Sequence, residues 1–144
     1  MNLNKILAIS GKPGLYHLES QTRTGFLATS LLDGKRISVG IRSNVSLLSE
    51  IAIYTLETEV PLREVFKNIK EKENNGKTSI SHKSDDTALE EYFFSVLPNY
   101  DENRVYVSDI KKVIQWYNLL LEKGYLEETS EEENVSEKEE VVKE

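Results

Sequence analysis

The chain has 144 residues, 30% of them charged and 38% hydrophobic, with a formal net charge of −7 and no cysteine. That length suits one domain or two very small ones; the missing thiols exclude disulfides and the common structural zinc sites, and no apolar run approaches the ~18 residues of a membrane span. The charge is unevenly placed: residues 127–144 hold nine Glu and two Lys, residues 1–56 carry a net +3 and residues 57–126 a net −3, so the strongly basic field of a nucleic-acid reader is absent.

The apolar run at residues 6–9 is too short for a signal-peptide core, and a cytoplasmic location without a membrane partner is expected. Turn chemistry at Gly11-Lys12-Pro13-Gly14 closes a first strand over residues 5–10. Residues 15–22 and 26–32 give two more strands around a turn at Arg23-Thr24-Gly25. Asp33-Gly34 suits a type I′ hairpin, since both residue types tolerate positive φ. After it Ile37, Val39 and Ile41 alternate with Ser38, Gly40 and Arg42, the period of a half-buried strand. Residues 43–50 read as a short helical turn and residues 51–55 as a last β-branched strand. Five short strands in so few residues predict a small SH3-like β-barrel over residues 1–56, closure hiding edges that such a sheet could not otherwise protect.

The period then changes. Pro61 suits a first helical turn; Leu62, Val65, Phe66 and Ile69 share one face, and Asn74-Asn75-Gly76 stops the helix. Thr87 with Glu90 makes a capping box ahead of a stripe of Leu89, Tyr92, Phe93, Val96 and Leu97. Ser108 is the expected cap of a third helix whose stripe runs from Ile110 to Leu121 and ends at Gly124. The expected class is thus α+β, the barrel followed by a three-helix domain at residues 57–126 and docked to it through Trp116 and Leu119. A disordered acidic tail at residues 127–144 follows, too charged to fold alone.

The stretches KILAISGKPGLYHL, NVSLLSEIAIYT and PNYDENRVYVSDIKKVIQWYNLL resemble a family of small cytoplasmic Bacteroidetes proteins of unknown function. In that family a barrel-like N-terminal region precedes a helical C-terminal one. The resemblance spans residues 3–126 and implies the two-part build, with no activity, cofactor or site residue attached.

No catalytic, cofactor or metal constellation is legible. His17 and His82 lie in different parts and neither has a second His one helical turn away. Ser81 and His82 with Asp85 and Asp86 lack a nucleophile elbow. Gly11–Gly14 is followed by a strand where a phosphate loop needs a helix. Two recognition surfaces remain. Tyr100, Asp101, Arg104 and Tyr106 in the connector, with Trp116, are typical interface anchors for a protein partner. Their structural reading is that the tyrosines pin the connector to the helices while Arg104 pairs with Asp101 or Asp109. Lys12, Arg23, Lys35, Arg36 and Arg42, with Tyr16 and Phe26, form the alternative, a basic face for RNA or DNA. The expected function is a non-enzymatic binding or adaptor protein for a macromolecular partner, most simply a protein.

Overall fold

The computed structural model describes residues 3–12, 14–40 and 42–126. The tail expected to be disordered lies outside the described residues, as do Pro13 and Ile41. The fold is mixed α+β, an antiparallel sheet followed by three helices.

Five strands open the chain: β1 (Ile6–Ile9), β2 (Tyr16–Thr22), β3 (Gly25–Ser30), β4 (Arg36–Gly40) and β5 (Val45–Leu47). They pair antiparallel in the order β4-β3-β2-β1-β5. The β3–β4 connection is not a two-residue type I′ turn. Only Gly34 takes positive φ, at 76°, while the Asp33 carboxylate accepts the Lys35 N–H at 2.9 Å. The Asp side chain thus mimics one turn of backbone and lengthens the loop.

Two expectations for the last strand are overturned. Residues 45–47, expected within a helical turn, are a strand that pairs with β1, so the strand over residues 51–55 is not the last of this sheet. The helical turn is confined to a 3-10 turn at Leu48–Glu50. After it β6 (Ala52–Tyr54) pairs with β7 (Glu59–Pro61) in a separate ribbon. Thr55 makes that reversal: its buried hydroxyl oxygen accepts the N–H groups of Glu57 and Thr58, at 3.2 and 2.9 Å. A Ser/Thr turn of this kind returns the chain antiparallel.

The sheet is also not closed into a barrel; β4 and β5 remain its edges. The physical reason lies in the helices. Leu3, Ile6, Leu15, Leu31 and Leu48 belong to one core with the stripes of α1 (Leu62–Lys72), α2 (Asp86–Val96) and α3 (Val107–Glu122). One sheet face is therefore covered from outside, and closure is not needed to bury it. Leu7, Ile9, Tyr16, Ala28 and Val39 form a second, smaller cluster whose described members all belong to the five strands. With no helix residue among the described members of that cluster, their burial points to the sheet coiling upon itself, the ordinary consequence of strand twist.

The helices follow the apolar periodicity, with Leu62, Val65, Phe66 and Ile69 fully buried on α1. Their caps differ from expectation. Asp85, not Thr87, caps α2 by accepting the Ala88 N–H at 2.8 Å; a carboxylate is the stronger acceptor at a positive helix end. Tyr106 precedes α3, and its N–H donates to the Asp109 carboxylate at 3.0 Å, so Ser108 lies inside the helix. Asn74 and Asn75 end α1 with φ of 53° and 68°, as Asn tolerates the left-handed region.

Polar staples fix the segment after α1. The Glu73 carboxylate accepts the Tyr92 hydroxyl at 2.5 Å and the Ser79 N–H at 2.9 Å. Burial opposes ionisation of Glu73, but these two donors outweigh it and hold the carboxyl below its ordinary value of 4.5. A pKa depressed by folding gives stability that is complete above the unfolded value and lost as pH falls through the folded one. The urea midpoint of the native chain should therefore exceed that of Glu73→Gln at pH 7, and the gap should narrow once pH falls below about 4.5.

Candidate functional site

The connector between α2 and α3 is built onto the β6–β7 ribbon. Thr55 and Tyr100 form an isolated antiparallel bridge. The Leu56 N–H donates to the Asn99 carbonyl and the Asp101 N–H to the Tyr54 carbonyl, both at 2.9 Å. Residues 99–101 are thus bridged to the end of the two-stranded ribbon, which fixes the connector in place.

The residues singled out there part company. Tyr100 is a core residue, 3% exposed, with its ring 4.9 Å from Phe93 and 4.8 Å from Phe94. Burial and the nearby Glu102 and Glu90 carboxylates raise its pKa. Asp101 is an organiser: it accepts the Arg104 Nε–H at 2.9 Å and the Asn103 N–H at 3.0 Å, and those bonds, Arg104 foremost, lower its pKa. Arg104 lies over the Tyr54 ring at 4.3 Å, with 56% of its side chain exposed. Tyr106 does not pin the connector; it is 62% exposed. Trp116 is half-buried on α3 and lines three neighbouring clefts.

The arrangement adds residues not singled out from the sequence. Among the described residues the large exposed hydrophobics are Leu32, Tyr54, Leu56, Phe94 and Tyr106. Four of the five attach to this one connector. Tyr54 is under Arg104, Leu56 bonds to Asn99, Phe94 touches Tyr100, and Tyr106 belongs to the connector. The signals were faint. Phe94 follows Tyr92 and Phe93, and a stripe that already takes those two leaves the third adjacent aromatic to another face. Tyr54 follows Ile53 in a strand, so it faces the opposite side.

The basic residues do not converge. Thr29 of β3 pairs with Arg36 and Gly25 with Gly40, so the two ends of this hairpin are about 13 Å apart. Lys35 and Arg36 stand at one end, Arg23 and Arg42 beyond the other. Lys12 is in the β1–β2 turn, and Glu19 lies close enough to feel the Arg36 charge. His17 sits 3.3 Å from Glu19, and His82 lines a different cleft. Asp85 is spent on capping α2, and Ser81 bonds within its own loop, accepting the Lys83 N–H. Among the described residues no three His, Asp or Glu side chains gather to hold a metal, and no helix is long and apolar enough to cross a membrane.

Between β6 and α3 lies a cleft of about 240 Å³, with Ile51, Ile53, Leu62 and Val113 in its wall and Tyr54, Arg104, Lys112 and Trp116 also lining it. The cleft brings Arg104 and Trp116 together, while Tyr100 and Tyr106 stay outside it.

Comparison with known proteins matches the two parts of the chain separately. A domain of unknown function, DUF5606, matches residues 3–48, and another, DUF6852, matches residues 51–120. A solution NMR structure from Bacteroides vulgatus is similar over 85% of this chain and 88% of its own, with 44% identity and a TM-score of 0.72. No curated protein matches. The chain belongs to the family of that Bacteroides vulgatus protein.

Proposed function

We propose that the chain is a non-enzymatic binding protein whose partner is another protein, docked on the surface around residues 99–106. The observation that carries this is the gathering of Tyr54, Leu56, Phe94 and Tyr106 around a connector fixed by backbone hydrogen bonds. Isolated exposed hydrophobics are ordinary, but a cluster has a use. Tyr and Arg are enriched among interface anchors, and a connector already ordered loses little entropy on docking. A basic nucleic-acid face is less well supported, because its five cations are spread over two ends of the sheet.

Capture of partners by the tagged full-length chain, with and without nuclease, tests this. A nuclease-resistant protein partner should be retained by the native chain. The double variant Leu56→Ser/Tyr106→Ser should retain at least about tenfold less, as loss of an anchor worth ~1.4 kcal/mol or more requires. Its thermal midpoint should stay close to native, since both side chains are more than half exposed. Equal retention by the variant, or ribosomal or polymerase components released by nuclease, would remove the reading.

A further inference from the structure

The cleft beside β6 continues past Trp116 into a second of about 310 Å³, and the two share Lys112 and Trp116. The second is lined by Ala8, Ile9, Lys12, Lys112, Gln115 and Trp116, together with small residues of the β1–β2 turn, and among the described residues no carboxylate is in its wall. Lys12 and Lys112 are exposed, and among the described residues neither ammonium group has a hydrogen-bond or ion-pair partner. Among the described residues the one acid lining the first cleft is Asp109, whose carboxylate is already engaged by the Tyr106 N–H. Two open cations and Arg104 thus edge a groove with an apolar floor, in a chain whose net charge is −7.

From this charge pattern we infer that the groove across Trp116 receives an acidic, extended peptide segment of the partner, with carboxylates on Lys12 and Lys112 and an apolar side chain against the indole. The inference rests on the protein-binding reading and names the partner's chemistry. Positive walls favour an anion. The aliphatic floor at Ile51, Ile53, Leu62 and Val113 favours a peptide side chain over a nucleobase, because successive bases need successive aromatic faces and among the described residues Trp116 is the one aromatic lining the second cleft. The groove also runs into the exposed patch, since Tyr54 and Arg104 belong to both.

Trp116 is the only tryptophan, so its emission reports occupancy directly. The probe is a blocked pentapeptide of four glutamates around one leucine, titrated into the full-length chain at low salt. Saturable change in Trp116 emission is expected. Lys12→Glu/Lys112→Glu should weaken binding at least about tenfold, and so should raised salt, as exposed charge pairs are screened. Lys111→Glu makes the same kind of charge change outside the groove and should leave the affinity within about twofold, a difference below ~0.5 kcal/mol. No emission change, or equal weakening by Lys111→Glu, would overturn the inference. An oligouridylate binding more tightly than the pentapeptide would give the groove to nucleic acid instead. Changing the nine glutamates of residues 127–144 to Gln tests the chain's own tail; probe affinity rising more than about tenfold would assign the groove to that tail. If Leu56→Ser/Tyr106→Ser loses the captured partner while Lys12→Glu/Lys112→Glu keeps it, the acidic-peptide inference falls and the protein-binding reading stands.

Discussion

Replacing Tyr117 with alanine should lower the unfolding free energy by about 3–5 kcal/mol, the range for truncating a large aromatic in a packed core. Tyr117 is fully buried in the middle of α3, and its ring lies 6.2 Å from Phe66 of α1. Its hydroxyl donates to the Gly76 carbonyl at 2.7 Å, closing the segment after α1 against α3. Burial, with the Glu73 charge behind it, pushes the phenol up to about 12, so it remains a donor throughout the neutral range. Alanine removes both the ring and the donor. Tyr117→Phe removes only the donor, and because Gly76 is half-buried, water can take its place. That variant should lose only ~1 kcal/mol, the net worth of one hydrogen bond. Urea unfolding at pH 7 measures both, and equal losses would mean that ring packing is not what Tyr117 supplies.

Leu48→Ala should cost about 2–5 kcal/mol and should do so for both parts of the chain at once. Leu48 is fully buried in the 3-10 turn between the five-stranded sheet and the β6–β7 ribbon. It belongs to the core shared by Ile6, Leu15 and the stripes of all three helices. A cavity there has sheet residues on one side and helix residues on the other. Emission of Trp116 reports α3, and far-UV circular dichroism reports the whole backbone; the two midpoints should fall together, as a cooperative transition demands. Separation of the two curves in the variant would show that the parts unfold independently.

The pattern of agreement with the sequence has a physical cause. Stripes such as Leu62, Val65, Phe66 and Ile69 were legible because a helix buries one face at a fixed period whatever covers it. The strand containing Ile37 and Val39 was legible for the same reason with a period of two. Caps were less legible: Asp85 and Thr87 are both competent, and only the local backbone decides which one points at a free N–H. Residues 45–47 and 51–55 were the hardest. Both are short and apolar, and periodicity cannot say which of two such runs pairs with β1. At the candidate site Arg104 and Trp116 could be named from their types, and Tyr100 could not be told from a surface tyrosine until Phe93 and Phe94 were seen around it.

By itself the sequence determined the α+β succession, the buried faces of three helices, the turn at Gly34 and the concentration of negative charge in residues 127–144, because each depends on a residue's near neighbours along the chain. Tertiary structure alone decided that the sheet stays open, that the connector joins the β6–β7 ribbon, and that Lys12 and Lys112 meet beside Trp116. Those outcomes depend on what lies opposite each face, and one-dimensional patterning records that a face is covered without recording by what.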